Sequence, residues 1–284
     1  MPIIRAIHRP ATDVAPNDKA EANLRRDLSS SSDKSRLFGL VSCLVIVAFL
    51  FGLYGLATDV LKLPNAILFP GWEKIVPAFS VSFRQLIEGL LSSLSLLVPA
   101  VTLSILTGVS AGVFIGLNPK VEAVLLPFIR AMNPLPSTML IPYAIAVMPT
   151  FYSSSLAIIY IGVLWPVLMN TLHGVAMLEP RWIDNARCLN LKGRQLVFKV
   201  VLPGAMPQIF AGVNAGLIRS FLLLTVAEMI GSKAGLGFFV QYYADFAKYD
   251  RVIVGMIWLS FIVVLIMTFF DLLKKRVLHW TKKR

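Results

Sequence analysis

The sequence is poor in charge, histidine and cysteine. Only 15% of its 284 residues are charged, whereas an ordinary soluble domain carries about 25%. Its two cysteines, Cys43 in an apolar run and Cys188 in a polar stretch, do not indicate a disulfide framework. Its three histidines lack the spacing of metal ligands, so we expect no metal site. No cluster of His, Asp or Cys supports a membrane-bound enzyme.

A nucleotide-binding loop is also missing from the sequence. The pattern Gly-x-x-x-x-Gly-Lys-Ser/Thr, whose backbone cradles phosphates, does not occur. We therefore expect no ATP hydrolysis and no cofactor in this chain. If ATP and magnesium take part in its function, they must be bound by a partner subunit.

Long apolar runs are what the sequence has in abundance, since 57% of its residues are hydrophobic. A helix that crosses a membrane needs about 20 such residues. The runs predict an all-α integral membrane protein with about six transmembrane helices. They lie at residues 37–57, 89–117, 131–148, 153–178, 206–231 and 252–270. Three prolines interrupt the third run, which makes it the weakest of the six.

The 27 lysine and arginine residues are divided unequally between the two sides of these spans. Most of them lie in the two ends of the chain and in the loop 179–203, which places both termini in the cytoplasm. We expect a disordered cytoplasmic tail at 1–36, an external segment at 58–88, a core at 89–271 and a basic tail at 272–284. The net charge of +12 therefore indicates membrane lipid as the partner, not nucleic acid.

A ridge of small residues follows one face of the second predicted span. Small residues recur every four positions there and permit close approach of helix backbones. The ridge includes Ser104, Gly108, Gly112 and Gly116. It suits packing within the chain, and it also suits a sliding surface or a subunit contact.

Polar residues at membrane depth are candidates for lining a transport path. Ionisable groups are costly in a membrane and usually face protein or water. The candidates are Asn133, Asn170, Asn214, Arg219 and Glu228. Arg219 suits attraction of an anion, but an interhelical bond or a side chain reaching the interface would also explain it. For Glu228, nearer the outer end, a structural role is the stronger interpretation.

The loop 179–203 has the features of an ordered element. Pro180 suits the first turn of a short helix, and Asn190 tolerates the left-handed conformation that ends one. We expect Ile183, Ala186, Arg187 and Asn190 on one face, and a second short helix from Lys192 to Pro203. The sequence predicts a basic projection below the membrane.

Three stretches of this region resemble binding-protein-dependent ABC importer permeases. Their signature loop reads Glu-Ala-Ala, three residues, Gly, nine residues, and an ending of the type hydrophobic-x-Leu-Pro. Here Asp184-Asn185-Ala186, Asn190 and Val200-Val201-Leu202-Pro203 take those places. The stretch Asn170–Val175 is similar to the "N-T-x-x-G-V" before that loop. Val226-Ala227-Glu228-Met229 with Gly235-Leu236-Gly237 resembles the nitrate, sulfonate, taurine and bicarbonate branch, as do Leu63-Pro64.

The resemblance implies the type I importer fold and a division of labour among subunits. Loop 179–203 would be the coupling helix, set in a groove of a cytoplasmic ATPase. Its contact residues would be Asp184, Asn185, Ala186, Arg187, Asn190 and Arg194. A second permease copy and an external substrate-binding protein would complete an inner-membrane importer of a small anion. That class includes nitrate, bicarbonate and organosulfonates.

The sequence also departs from the family pattern. Asn190 and Asn185 replace the usual Gly and Ala, and Met148-Pro149-Thr150 replaces a common Trp-Phe-Gly. These changes leave a different substrate open. The alternative from another class is a secondary transporter or channel that is driven by a gradient and needs no ATPase.

Overall fold

The computed structural model describes Val45, Phe49, residues 51–60 and residues 68–282. These residues are helical or lie in turns, with no β-strand among them. The chain divides into two units, Met1–Pro64 and Asn65–Arg284. Predictions for 1–36 and for most of the span 37–57 fall outside the described residues. In the first unit, residues 51–55 are helical and a π-helical turn follows at Leu56–Val60.

Helix α1 (Trp72–Gly116) contains the second predicted span and extends well beyond it. The predicted span begins at residue 89, whereas the helix begins at Trp72, so residues 72–88 form its first turns. Buried residues recur there every three or four positions, at Ile75, Ala78, Ser82 and Leu86. The charged residues of this stretch, Glu73, Lys74, Arg84 and Glu88, are exposed, so an apolar run does not reveal this amphipathic helix.

The predicted third span, residues 131–148, covers only the end of the first of two helical pieces and the whole of the second. Helix α2 (Pro119–Met132) is followed by a 3-10 turn (Ser137–Leu140) and helix α3 (Ile141–Val147), and the two halves are bent by 81°. The break contains Pro134 and Pro136, which lack the N–H needed to continue a helix.

Helix α4 (Phe151–Ala176) lies between α1 and helix α6 (Arg194–Gly231). A capping box of Thr150 and Ser153 starts α4. Along α1, Gly108 meets Val167 and Gly116 meets Val175, so the two helices run parallel. The chain between two parallel helices must return to the side where it began. The bent pair α2–α3 makes this return.

The described residues therefore hold four long apolar helices. The bent pair counts as a fifth span because it returns the chain between the parallel helices α1 and α4. The remaining two long helices are α6 and helix α8 (Tyr249–Val277). Counting the bent pair, five of the six predicted spans lie in this part of the chain. The first span, and with it the total of six, stays a prediction.

The loop between α4 and α6 contains helix α5 (Pro180–Cys188). The expected second short helix does not end at Pro203. It begins at Arg194, widens into a π turn at Val197–Val201 and continues as α6 to Gly231. Pro203 directly follows the wide turn, so it sits in the first turn of the α-helical part, where a missing N–H is tolerated.

Helix α7 (Leu236–Asp245) is short and connects α6 with α8. It contacts α1, α6 and α8. The face of α8 towards α1 carries Trp258, which packs against Phe79 and Phe83. Much of the rest of α8 is exposed on this single chain. Helix α7 therefore packs against three of the long helices at once.

Candidate functional site

Arg219 and Asn133 come together in space, although they are far apart in the sequence. Arg219 Nη1 donates to the backbone oxygen of Asn133 at 3.1 Å and to its Oδ1 at 3.3 Å. Asn133 is the C-cap residue that follows α2, where unpaired carbonyls carry partial negative charge. The arginine therefore binds the break in the third span.

A cavity of about 270 Å³ lies at this contact. It is lined by residues 133–138 of the break and by Arg219, Leu222 and Leu223 of α6. Arg219 is exposed, and no carboxylate in residues 51–60 or 68–282 forms an ion pair with it. The cavity thus brings a guanidinium beside Ser137 and Thr138. Guanidinium N–H groups suit carboxylate, sulfonate and other oxyanions.

Two of the other polar candidates are not part of this cavity. Asn170 Nδ2 donates to the backbone oxygen of Pro166 at 2.8 Å, within its own helix. Its Cβ lies where α4 closely approaches Gly212 of α6. Asn214 is half-buried on α6. Of the five candidates, the structure brings together only Asn133 and Arg219.

Glu228 is buried at the far end of α6, with 1% of its surface exposed. Its Oε1 accepts a hydrogen bond from Ser93 Oγ at 2.6 Å, and its Oε2 accepts one from the backbone N–H of Gly237 at 2.7 Å. Sequence reasoning missed Ser93, which belongs to α1. The Gly-Leu-Gly stretch was noticed only as a resemblance, because spacing alone does not reveal that its backbone meets a carboxylate.

The loop helix α5 ends as its sequence indicates. Asn190 has φ of +58°, which confirms the expected left-handed conformation. The N–H of Asn190 bonds to the oxygen of Arg187, and that of Leu191 bonds to the oxygen of Ala186, both at 2.9 Å. These two bonds form a Schellman motif, which satisfies the last carbonyls of the helix.

The predicted contact residues of the loop divide into two groups. Asp184, Asn185, Arg187, Asn190 and Arg194 are exposed. Ala186 is 3% exposed and packs within the chain, so it does not offer its methyl group to a partner. The expected common face of Ile183, Ala186, Arg187 and Asn190 is therefore divided, because α5 lies against the start of α6.

The loop also exposes apolar side chains, which are not among the contact residues predicted from the sequence. Leu189 is 75% exposed, and Trp182 and Phe198 are also exposed. Asp184 and Arg187 form only a surface ion pair with 3.6 Å between Oδ1 and Nη1. The exposed surface of the loop is thus mixed, with apolar groups beside a weak ion pair.

The small-residue ridge of α1 faces α4. A Cβ added to Gly112 would lie 2.7 Å from Thr171 Cβ, and one added to Gly116 would lie 2.9 Å from Val175 Cβ. The Ser104 hydroxyl lies 2.7 Å from the oxygen of Ala100 and 3.0 Å from that of Tyr160 on α4. The ridge is therefore occupied by packing within the chain.

Comparison with known proteins identifies one family and several related transport permeases. The family described as "Binding-protein-dependent transport system inner membrane component" matches residues 82–283. The taurine transport system permease protein TauC of Escherichia coli is 31% identical over 193 residues, which cover 68% of this chain and 70% of TauC. The nitrate import permease protein NrtB of a Synechocystis strain is 26% identical over 176 residues, covering 62% of this chain and 64% of NrtB.

A solved structure supports the fold. A chain of the methionine ABC transporter MetNI, in an inward-facing conformation, superimposes with a TM-score of 0.59 at 18% identity. The superposition covers 69% of this chain and 97% of that one. At this identity, the likeness concerns the arrangement of helices alone.

Proposed function

This chain belongs to the family of binding-protein-dependent transport system inner membrane components, and we propose that it is the permease subunit of an ATP-driven importer for a small anion. It is a multi-pass protein of the inner membrane. The observation that carries the proposal is Arg219, a cation without a carboxylate partner in the described part of the chain, beside a cavity of about 270 Å³. Relatives named for taurine and nitrate transport support an anionic substrate.

A second copy of the chain would complete the path. Arg219 lies on an exposed face of α6 together with Ile218 and Leu222. A guanidinium open to lipid tails at the middle of a span is costly, so it should face protein or water. Two copies that meet at this face would enclose Arg219 and the cavity. The path would then lie between the copies.

A separate ATPase would bind the loop 179–203, and its ATP-driven movement would be transmitted through this loop. The exposed Leu189 and Trp182 would fill an apolar groove, and Asp184, Arg187 and Arg194 would surround them with charge. Rigid-body movement of the loop and α6 would alternate the side on which the path opens. An external binding protein would deliver the substrate. Ala186 would not take part in this contact, because it is buried.

The experiment compares uptake of labelled taurine, nitrate and bicarbonate by the assembled transporter carrying Arg219→Gln or Arg219→Lys. Loss of a charge-assisted hydrogen bond costs about 1.5–3 kcal/mol, which corresponds to about tenfold or more in rate or affinity. We expect that loss for Gln and a smaller one for Lys. Arg84→Gln, on an exposed arginine of α1, is the matched control.

Two results would contradict the proposal. If the Arg219→Gln variant supports uptake at the parental level, Arg219 does not line the path. Uptake by the purified chain alone, driven by a gradient without an ATPase, would favour a secondary transporter or channel.

A further inference from the structure

The carboxylate of Glu228 lies where α1, α6 and α7 meet. It accepts bonds from Ser93 of α1 and from the N–H of Gly237 in the first turn of α7. Ser93 Oγ in turn accepts the N–H of Leu236 at 3.0 Å. Two side chains from two helices thus satisfy the first two N–H groups of a third. We call this set of Ser93, Glu228 and the start of α7 the outer joint.

The glycines of the outer joint leave the room that the carboxylate needs. Gly235 has φ of +118°, and a Cβ there would overlap the Glu228 carboxylate. A Cβ on Gly237 would lie 2.6 Å from the backbone oxygen of Thr225. A Cβ on Gly89 of α1 would lie 3.3 Å from Gly235. The three helices are therefore closely packed at Gly89, Gly235 and Gly237, where an added side chain would meet its neighbours.

Helix α7 also forms a wall of a cavity of about 330 Å³. Phe238, Phe239, Tyr242 and Tyr243 line it from α7, and Gln85 and Glu88 line it from α1. The wall is held by Tyr243, whose hydroxyl donates to Gln85 Oε1 at 2.8 Å and accepts from Arg251 Nη1 at 2.7 Å. This cavity lies at the end of α6 opposite the loop 179–203.

We propose that Glu228 is a positioning residue that fixes the aromatic wall of α7 to α1 and α6, so that the three move as one rigid unit during transport. The carboxylate acts through its geometry as a double acceptor. Displacement of α6 at the cytoplasmic loop is thereby transmitted to the cavity wall at the other end. This role goes beyond the proposed function, which places Glu228 neither in the path nor at the ATPase.

The test measures the distance between α1 and α7 in the assembled transporter. Spin labels are attached at Val81 and Phe246, which are both exposed, after Cys43 and Cys188 are replaced by serine. The distance should be the same with and without ATP in the parent and in Glu228→Gln, because glutamine keeps an acceptor for Gly237. In Glu228→Ala, which has no acceptor, the distance distribution should broaden.

Uptake gives the second readout. Glu228→Ala should lower it about tenfold or more, since a buried hydroxyl and a backbone N–H lose their partner. Glu228→Gln should stay within about threefold of the parent, because only one bond changes character. Ser93→Ala should resemble Glu228→Ala, and it carries the test if Glu228→Ala fails to assemble. Glu73→Ala, on an exposed glutamate in the first turn of α1, is the control.

Three outcomes would overturn the proposal. Glu228→Gln as inactive as Glu228→Ala, with the parental distance, would show that the charge itself is used. A parental distance that changes with ATP would show that the joint is not rigid. A narrow distance and full uptake in Glu228→Ala would remove the role altogether. The distances need no substrate, so they decide the question even if no anion is transported.

Discussion

Polar residues have opposite roles at the outer joint and in the loop helix α5. At the outer joint, Glu228 is buried and both carboxylate oxygens are bonded to neighbouring helices. In helix α5, Asp184 and Arg187 are exposed and form an ion pair with 3.6 Å between Oδ1 and Nη1. Both regions resemble family motifs. Only at the outer joint do the polar side chains bond to neighbouring helices.

This difference in burial distinguishes a fixed contact between helices from a surface that is available to a partner. A buried carboxylate is stable only where its acceptors are satisfied, so the outer joint has one arrangement. An exposed ion pair contributes little and leaves its groups free to exchange partners. The outer end of α6 should therefore be sensitive to small changes of shape. Helix α5 should tolerate small changes of shape unless a partner protein is bound to it.

The largest effect on stability is expected for Gly237→Ala. The added methyl group would meet Thr225 oxygen at 2.6 Å and Glu228 Cβ at 2.9 Å. Such overpacking costs about 1–3 kcal/mol, and it should lower the Tm measured in detergent. Gly52→Ala makes the same chemical change where a Cβ meets nothing within 4 Å, and should not lower the Tm. Equal Tm values for both variants would mean that the joint is not close-packed.

A smaller effect is expected at the end of α5. Asn190→Val places a β-branched residue at φ of +58°, where the left-handed conformation costs about 1–2 kcal/mol. Asn190→Gly should raise the Tm slightly, because glycine adopts this conformation freely. Lys192→Val, at a neighbouring exposed position outside the left-handed region, serves as the control. If Asn190→Val and the control behave alike, the Schellman turn does not hold the loop.

The smallest effect on stability is expected for Asp184→Asn. The ion pair with Arg187 is exposed on both sides, so its loss should change the free energy of unfolding by less than about 0.5 kcal/mol. The proposed coupling predicts that uptake nevertheless falls while the complex stays assembled. Arg187→Gln breaks the same pair from the other side. Normal uptake in both variants would remove this pair from the coupling contact.

The spans were predictable because membrane-crossing helices require long apolar runs. The runs at 153–178 and 252–270 correspond closely to Phe151–Ala176 and Tyr249–Val277. Residues 72–88 were missed because charged residues on one face hide an amphipathic helix from a search for apolar runs. The extension of α6 back to Arg194 was missed because Pro203 reads as an end. A π turn just before the proline removes that conflict.

The sequence predicted only part of the candidate site. Arg219 and Asn133 stood out as polar groups at membrane depth, but their contact depends on the 81° bend between the two halves of the third span. Ala186 looked like an open contact because its neighbours are polar. Its burial depends on how α5 lies against α6, and spacing along one helix carries no information about that.

The order of apolar runs, the basic ends of the chain and the left-handed turn at Asn190 follow from the sequence itself. They rest on local properties: the transfer of side chains into lipid, the placement of charge and the backbone freedom of single residues. The third dimension alone decided that Arg219 borders a cavity while Glu228 joins three helices. Both are ionisable residues of one apolar helix, and what distinguishes them is which neighbours each face meets after packing.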